Sequence, residues 1–319
     1  MRCDIIIPIW NQPELTRQCI DSVTRNTEYP YRLILVDNGS ADETAAYLRR
    51  VAGSSAAGAV LLRNDSNKGF IRAANQGMKA SDAPYLCLLN NDTIVCRRWL
   101  SEMVAVAESS SDIGIVNPSS NTLGRRPADD ESVEAYAGKL AASCGSGRLT
   151  ELGSALGFCM LIKRNVINSV GYFDEAYGMG NFEDTDLSRR AAQAGFRLVI
   201  ADRAYVYHKE GSSFSRVRTH DSDFMKNRKT YESRWGRPKR VLYVLSSNDQ
   251  GLIARITAHA RRLSLAGDWL YVYAKDSVDT RIIPLHSNLI IKKFPDRFFT
   301  LRTFIRVVTK KKRFDTIIR

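Results

Sequence analysis

Cys3-Asp4-Ile5-Ile6-Ile7-Pro8-Ile9 places three isoleucines in succession with no alternation of polar and apolar positions. Such a run fits a strand buried on both faces rather than a half-exposed edge strand. A βα rhythm continues from it. Leu15, Cys19, Ile20 and Val23 recur at helical spacing over 13–27, and 33–36 reads as a second buried strand. Residues 42–51 predict a helix opened by Ser40 as N-cap. Strands at 60–62, 85–89 and 113–116 then alternate with helices at 70–79 and 97–108. Alternation of this kind means an α/β fold with a mostly parallel sheet, doubly wound, flanked by helices on both faces.

Beyond Pro118 the rhythm lapses. Residues 119–151 are rich in Ser, Gly and Ala and read as a loop carrying one helix at 133–142. The sheet resumes at 155–162, a helix follows at 184–194, and short strands at 198–200 and 205–207.

The chain has 319 residues, 44% of them hydrophobic, which suggests about two domains and excludes a disordered or collagen-like chain. No run approaches the ~18 apolar residues of a membrane-spanning helix, so a soluble, cytoplasmic chain is expected. Six cysteines without a C-x-x-C pair point to buried thiols in a reducing compartment rather than a zinc or redox site. The charge is uneven. Residues 237–319 hold 18 Lys and Arg against 6 Asp and no Glu, giving +12 of the chain's +13. Gly236-Arg237-Pro238 is the expected joint between a first domain, 1–236, and a basic α/β segment, 237–319. That segment predicts strands at 241–245, 270–273, 289–291 and 314–318, with helices at 253–266, closed by Gly267, and at 301–309. A parallel sheet whose last strand has no helix after it leaves one face bare. The expectation is the truncated start of a second Rossmann-like domain, or cover by a partner.

In an open parallel sheet, ligands bind beyond the carboxyl ends of the strands. Those ends are polar here: Pro8-Ile9-Trp10-Asn11, Asp37-Asn38-Gly39-Ser40, Asn67-Lys68-Gly69 and Asn90-Asn91-Asp92. With Asp42, Thr44, Phe70, Asn75 and Gly77 added, their order and spacing resemble glycosyltransferase family 2 over about residues 1–215. Gly171-Tyr172-Phe173-Asp174, Glu183-Asp184-Thr185-Asp186-Leu187 and His208-Lys209-Glu210-Gly211-Ser212-Ser213 extend the resemblance, which is nearest to a rhamnosyltransferase-like subgroup.

The resemblance implies the GT-A fold and inverting transfer from a nucleotide sugar. A departing diphosphate calls for a divalent cation. Asp92 fills the last place of the acidic metal motif, Asn90 and Asn91 stand in its two earlier places, and His208 matches the histidine that completes the coordination. The mixed donor set favours Mn2+, with Mg2+ as the alternative. The general base falls at Asp184, with Asp186 structural, although acids that open a helix also simply complement its dipole. Asp37 is placed to accept the imide N–H of uracil or thymine, and Asn11 and Asn67 to reach base or ribose. Pro8, Trp10, Gly69, Asn75, Asn90 and Asn91 complete the nucleotide side, Gly69 being equally readable as a turn glycine. Gly157, Phe158 and Glu183 fall on the acceptor side.

Tyr231 stands where the Gln-x-x-Arg-Trp signature of processive synthases has its Gln, so a single-addition transferase is expected. The implied reaction moves a sugar, rhamnose or another deoxyhexose, from a UDP- or dTDP-linked donor to a glycan or lipid-linked glycan in surface polysaccharide synthesis. The alternative is a catalytically silent nucleotide-sugar-binding module. A nucleotidyltransferase would need a Gly-rich, Arg-containing loop after the first strand, and Trp10-Asn11-Gln12-Pro13 is not one. The segment from Val241 weakly resembles the first half of a GT-B transferase. Its run Lys310-Lys311-Lys312-Arg313 reads either as a peripheral contact with an anionic membrane or as a solvated helix face. No nucleic-acid module accompanies the charge.

Overall fold

The isoleucine run forms β1 (Cys3–Ile9), and every residue in it is buried. The computed structural model describes residues 2–54, 58–145, 147–209 and 220–319. After β1 come α1 (Pro13–Asn26), β2 (Tyr31–Asp37), α2 (Asp42–Gly53), β3 (Val60–Arg63), α3 (Phe70–Lys79) and β4 (Tyr85–Leu89). Next are β5 (Thr93–Val95), α4 (Trp99–Glu108), β6 (Ile113–Ser119), α5 (Val133–Ser143), β7 (Leu149–Glu151), β8 (Cys159–Lys163) and α6 (Arg164–Val170). The first body closes with α7 (Glu183–Gln193), β9 (Arg197–His208) and α8 (His220–Trp235).

These elements make a large mixed sheet in the order β3-β2-β1-β4-β8-β6-β9-β5. Ile5, Ile7 and Ile9 join Cys19, Val23, Leu48, Trp99 and Met103 in the core of one face. Ile6 points to the other face, where α3 lies so close that a Cβ on Gly77 would sit 2.3 Å from the Ile6 Cγ2. Filling both faces explains why β1 shows no alternation.

Besides the unexpected short strands β5 and β7, the structure departs from the expected elements in three places. β8 runs antiparallel to both β4 and β6, and it begins only at Cys159. Residues 155–157 are kept out of the ladder because their N–H groups go to side chains. Ala155 donates to Ser188 Oγ (2.9 Å), Leu156 to Asn117 Oδ1 (3.1 Å) and Gly157 to Asp184 Oδ2 (3.0 Å). The two short strands expected near 200 are one, β9, whose register against β6 shifts between Pro118 and Ser119 and whose far end pairs with β5. Ser40 does not cap α2. Its Oγ accepts the Asn11 N–H (2.9 Å), while the Ala41 N–H donates to Asn11 Oδ1 (2.8 Å). All six cysteines are buried and unpaired.

Met1–Leu149 with Ala155–Arg234 form one compact unit, and Thr150–Ser154 with Trp235–Arg319 the other. The short segment before Ala155 thus joins the later residues, with Ser287 donating its N–H to Glu151 O (2.8 Å). The second unit contains β10 (Arg240–Leu245), α9 (Gln250–Ala260), α10 (Leu263–Ala266), β11 (Trp269–Lys275), β12 (Leu289–Phe294), α11 (Phe299–Val308) and β13 (Thr316–Ile318). Its strands are all parallel, in the order β12-β11-β10-β13. The single helix expected at 253–266 is broken into α9 and α10, with Gly267 at φ +67° closing it. Among the described residues no helix is long and apolar enough to cross a membrane.

Gly77→Ala will therefore overpack the contact of α3 with β1, lowering stability by about 1–3 kcal/mol despite the better helix propensity of Ala. A lower urea midpoint for the first unit is the expected reading, and an unchanged midpoint would show that the interface has slack.

Candidate active site

β5 is only three residues long, yet it brings the site together. Pairing with β9 sets Thr93 opposite His208, and the Lys209 N–H donates to Asp92 O (2.9 Å). Asp92 Oδ1 then lies 3.2 Å from His208 Nε2. The histidine is held on all sides. Asn121 accepts its N–H through Oδ1 (2.8 Å) and donates Nδ2–H to its carbonyl (2.8 Å). The ring stacks on Phe158 with centroids 5.1 Å apart and planes 14° from parallel, and Nδ1 is 3.3 Å from Thr122 Oγ1.

Adjacent corners of an octahedron with arms of about 2.1 Å are about 3 Å apart, so the Asp92 and His208 donor atoms suit one divalent cation. Among the described residues there is no group of three or more His, Cys, Asp or Glu side chains placed to hold a metal. These two side chains would supply two ligands, leaving the rest to substrate oxygens and water.

Asp184 enters from α7. Asn181 and Phe182 before it are both left-handed, at φ +75° and +74°, an arrangement that costs a non-glycine residue energy and persists only where contacts enforce it. Asp184 Oδ2 accepts the Gly157 N–H, and Oδ1 accepts the Thr185 N–H (2.6 Å) and hydroxyl (3.1 Å). Burial pushes its carboxyl above the ordinary range against the pull of these donors. Glu183 is 6% exposed, and its Oε2 has no hydrogen-bond partner among the described residues. Burial, with Asp184 alongside, pushes Glu183 up to about 8. Asn90, Gly157, Phe158, Glu183, Asp184 and His208 line one cleft of about 350 Å3. Asn90 Oδ1 there is likewise buried without a partner among the described residues.

Apart from Asn75, which lies within α3, the expected nucleotide residues fall at or near the ends of β1 to β4, largely in contacts with one another. Asp37 is fully buried, with Oδ1 accepting the Ser40 N–H (2.9 Å) and Oδ2 paired with Arg63. Asn11 Oδ1 is bound to Ala41, and Asn67 Oδ1 accepts from Asn38 Nδ2 (2.8 Å) and from the Gly69 N–H (2.9 Å). Gly69 has φ +87°, and a Cβ there would sit 3.0 Å from Met179 Sδ. Pro8 pairs with Val36 inside the sheet, and Trp10 is 45% exposed at its edge. Asn75 and Asn91 face inward. Asn75 bonds the Phe173 backbone in both directions (2.9 and 3.1 Å), and Asn91 Nδ2 donates to Thr16 Oγ1 (2.9 Å).

Several supports were not anticipated from sequence. Arg63 neutralises Asp37, and Asn38 and Asn64 lock the loops after β2 and β3 together (3.0 Å). In α8, Asn227 donates to Tyr177 O (2.7 Å) and Gly180 O (2.8 Å), steadying the approach to α7. Arg234 bridges Asp186 (2.8 Å) and Asp174 (2.7 Å), which makes Asp186 a structural anchor. Residues 210–213 of the His208 motif lie outside the described residues.

The family model for glycosyl transferase family 2 matches residues 4–171. The chain belongs to glycosyltransferase family 2. Among relatives of this family-2 chain, the O-antigen biosynthesis protein RfbC of Myxococcus xanthus is 26% identical over 279 residues. The match covers 79% of the chain but 21% of that protein, so the chain spans about a fifth of its relative's length. Of solved structures, S. aureus TarS 1-349 in complex with UDP-GlcNAc is similar with a TM-score of 0.56 at 12% identity, over 83% of this chain and 74% of that one. The mannosyltransferase PcManGT of Pyrobaculum calidifontis, in complex with GDP-Man and Mn2+, gives 0.52 at 17%, over 72% and 64%. At such identities the likeness shows the fold, and that fold is GT-A.

The raised Glu183 carboxyl has a pH consequence. Between its ordinary value, about 4.3, and about 8, the folded chain keeps a proton that the unfolded chain releases, so this group's contribution to stability falls as pH rises. Glu183→Gln will remove that slope and gain about 1 kcal/mol or more over the wild type at pH 8.5. Urea unfolding from pH 5 to 9 reads it; parallel curves would contradict it.

Proposed function

We propose that the chain transfers a sugar from a UDP- or dTDP-linked donor, with inversion, to a hydroxyl of a glycan or lipid-linked glycan in surface polysaccharide synthesis. The observation that carries this reading is the joining of Asp184 and His208 in one cleft, with Asp92 against the histidine.

Asp92 Oδ1 and His208 Nε2 would hold a divalent cation on the diphosphate. When bound, the cation neutralises the charge that grows on the leaving group. The oxygen and imidazole pair favours Mn2+, the ion present with the mannosyltransferase, over Mg2+. Asp184 takes the proton of the acceptor hydroxyl as that oxygen bonds to the anomeric carbon and the bond to the diphosphate breaks. Its raised affinity for a proton suits this task, and the Gly157 and Thr185 donors fix its direction. Asp37 would accept a pyrimidine imide N–H once the part-exposed Arg63 side chain moves off its Oδ2. Arg63 offsets its charge beside the base. Rhamnose or another deoxyhexose is the first donor sugar to try. Non-processive addition accords with Arg234 being engaged in anchoring α8.

The asparagines at 90 and 91 favour one second reading, a module that holds a nucleotide sugar without turning it over. Donor consumption by the wild type excludes it. Asp184→Asn is expected to cut transfer by about a hundredfold or more while calorimetric affinity for UDP or dTDP stays the same. Unchanged turnover would overturn the assignment of the base. His208→Ala is expected to weaken Mn2+-dependent UDP binding about tenfold or more, and a chelator to do the same to the wild type. Binding indifferent to both would remove the cation from the scheme.

A further inference from the structure

Helix α11 is apolar on two sides. Phe299 and Thr303 are buried toward the sheet, and Val307 packs with the cluster around Tyr271 and Tyr273. At about 100° per residue these three centre on one direction, and Leu301, Phe304, Ile305 and Val308 centre about 150° away. Those four are 57%, 65%, 47% and 65% exposed, and Phe298 just before them is exposed as well. A helix that covers one sheet ordinarily turns a polar face outward. A further helix in the same layer would lie beside α11, roughly a quarter-turn from the sheet-facing direction, and would leave the stripe uncovered.

The charge around the stripe is mostly of one sign. From Arg297 to Phe314, both included, there are seven Lys and Arg and no acid, with Asp296 and Asp315 just outside. Arg302 and Arg306 lie on a flank of the helix, and Lys311, Lys312 and Arg313 follow its end, all exposed. Lys310 is set apart, with its ammonium 4.1 Å from the Tyr271 ring centroid. An apolar stripe calls for a low-dielectric medium and the cations for a dense anionic layer; a bilayer of acidic lipids offers both at the right depth.

We propose that α11 and the basic turn after it seat this unit on an anionic lipid bilayer. Leu301, Phe304, Ile305 and Val308 enter the boundary between headgroups and acyl chains, and Arg302, Arg306, Lys311, Lys312 and Arg313 meet lipid phosphates. This surface is independent of the transfer reaction proposed above.

The test is co-sedimentation of the whole chain with vesicles of phosphatidylglycerol and phosphatidylcholine in equal parts, against phosphatidylcholine alone, at low and high salt. Partitioning is expected to favour the acidic vesicles at least tenfold and to weaken with salt. The double variant Leu301→Gln/Phe304→Gln alters exposed side chains, so it should fold as the wild type does by circular dichroism, and it should bind about tenfold or more weakly. Lys311→Gln/Lys312→Gln/Arg313→Gln should bind about a hundredfold more weakly. UDP affinity should be unchanged in both. Equal binding to neutral vesicles, or wild-type binding by the Leu301/Phe304 variant, would overturn the proposal. So would a solution dimer that Phe304→Gln dissociates, because a second copy would then be what covers the stripe.

Discussion

A buried N–H with no acceptor costs about 1–3 kcal/mol, and residues 155–157 present three in succession where no neighbouring strand receives them. Ser188, Asn117 and Asp184 take them one each, and the Asn90 N–H meets the Phe158 carbonyl (2.8 Å) just beyond. Satisfying this one stretch of backbone draws α7, β6 and the end of β4 to a common point. Gly157 steadies the proposed base, and the adjacent Phe158 ring lies on the proposed metal-binding histidine. The two halves of the proposed chemistry are thus located by consecutive residues.

The remainder of the site follows from how far β9 travels. β9 outruns β6: after the shift at Pro118 and Ser119 its last residues, 206–208, lie beyond the end of β6 and pair with β5, which sets His208 against Asp92. Asn121, just after β6, then binds the histidine backbone from both sides. A turn from one strand and the tip of another, more than a hundred residues apart, come to one point through backbone pairing and the Asn121 side chain.

What could be read beforehand was whatever is coded locally. β1 and β4 were bounded correctly because an unbroken apolar run leaves few other outcomes, and the polar tips stood out because they follow such runs. Asp92 and His208 do meet. The direction of β8 was not readable, since residues 155–162 look the same whether the strand runs up or down; partners at Asn117 and Asp184 decide where it begins. Asn75 matched a motif, yet its amide is committed to Phe173. Arg63, Asn64 and Asn227 carried no local signal because each serves a partner that only the folded chain brings near. The positive φ at Asn181 and Phe182 had none either, glycine being the usual cue for such a backbone.

All six sulfhydryl groups lie inside the first unit, and residues 235–319 contain none. Burial holds several of them far from the reactive thiolate, Cys19 being pushed up to about 12. Apart from Cys144, 9% exposed at the end of α5, an alkylating reagent therefore finds nothing to attack until the first unit opens, and residues 235–319 offer it no thiol at any time. The rate at which the buried thiols are modified becomes a built-in clock for breathing of the first unit alone, needing no engineered label.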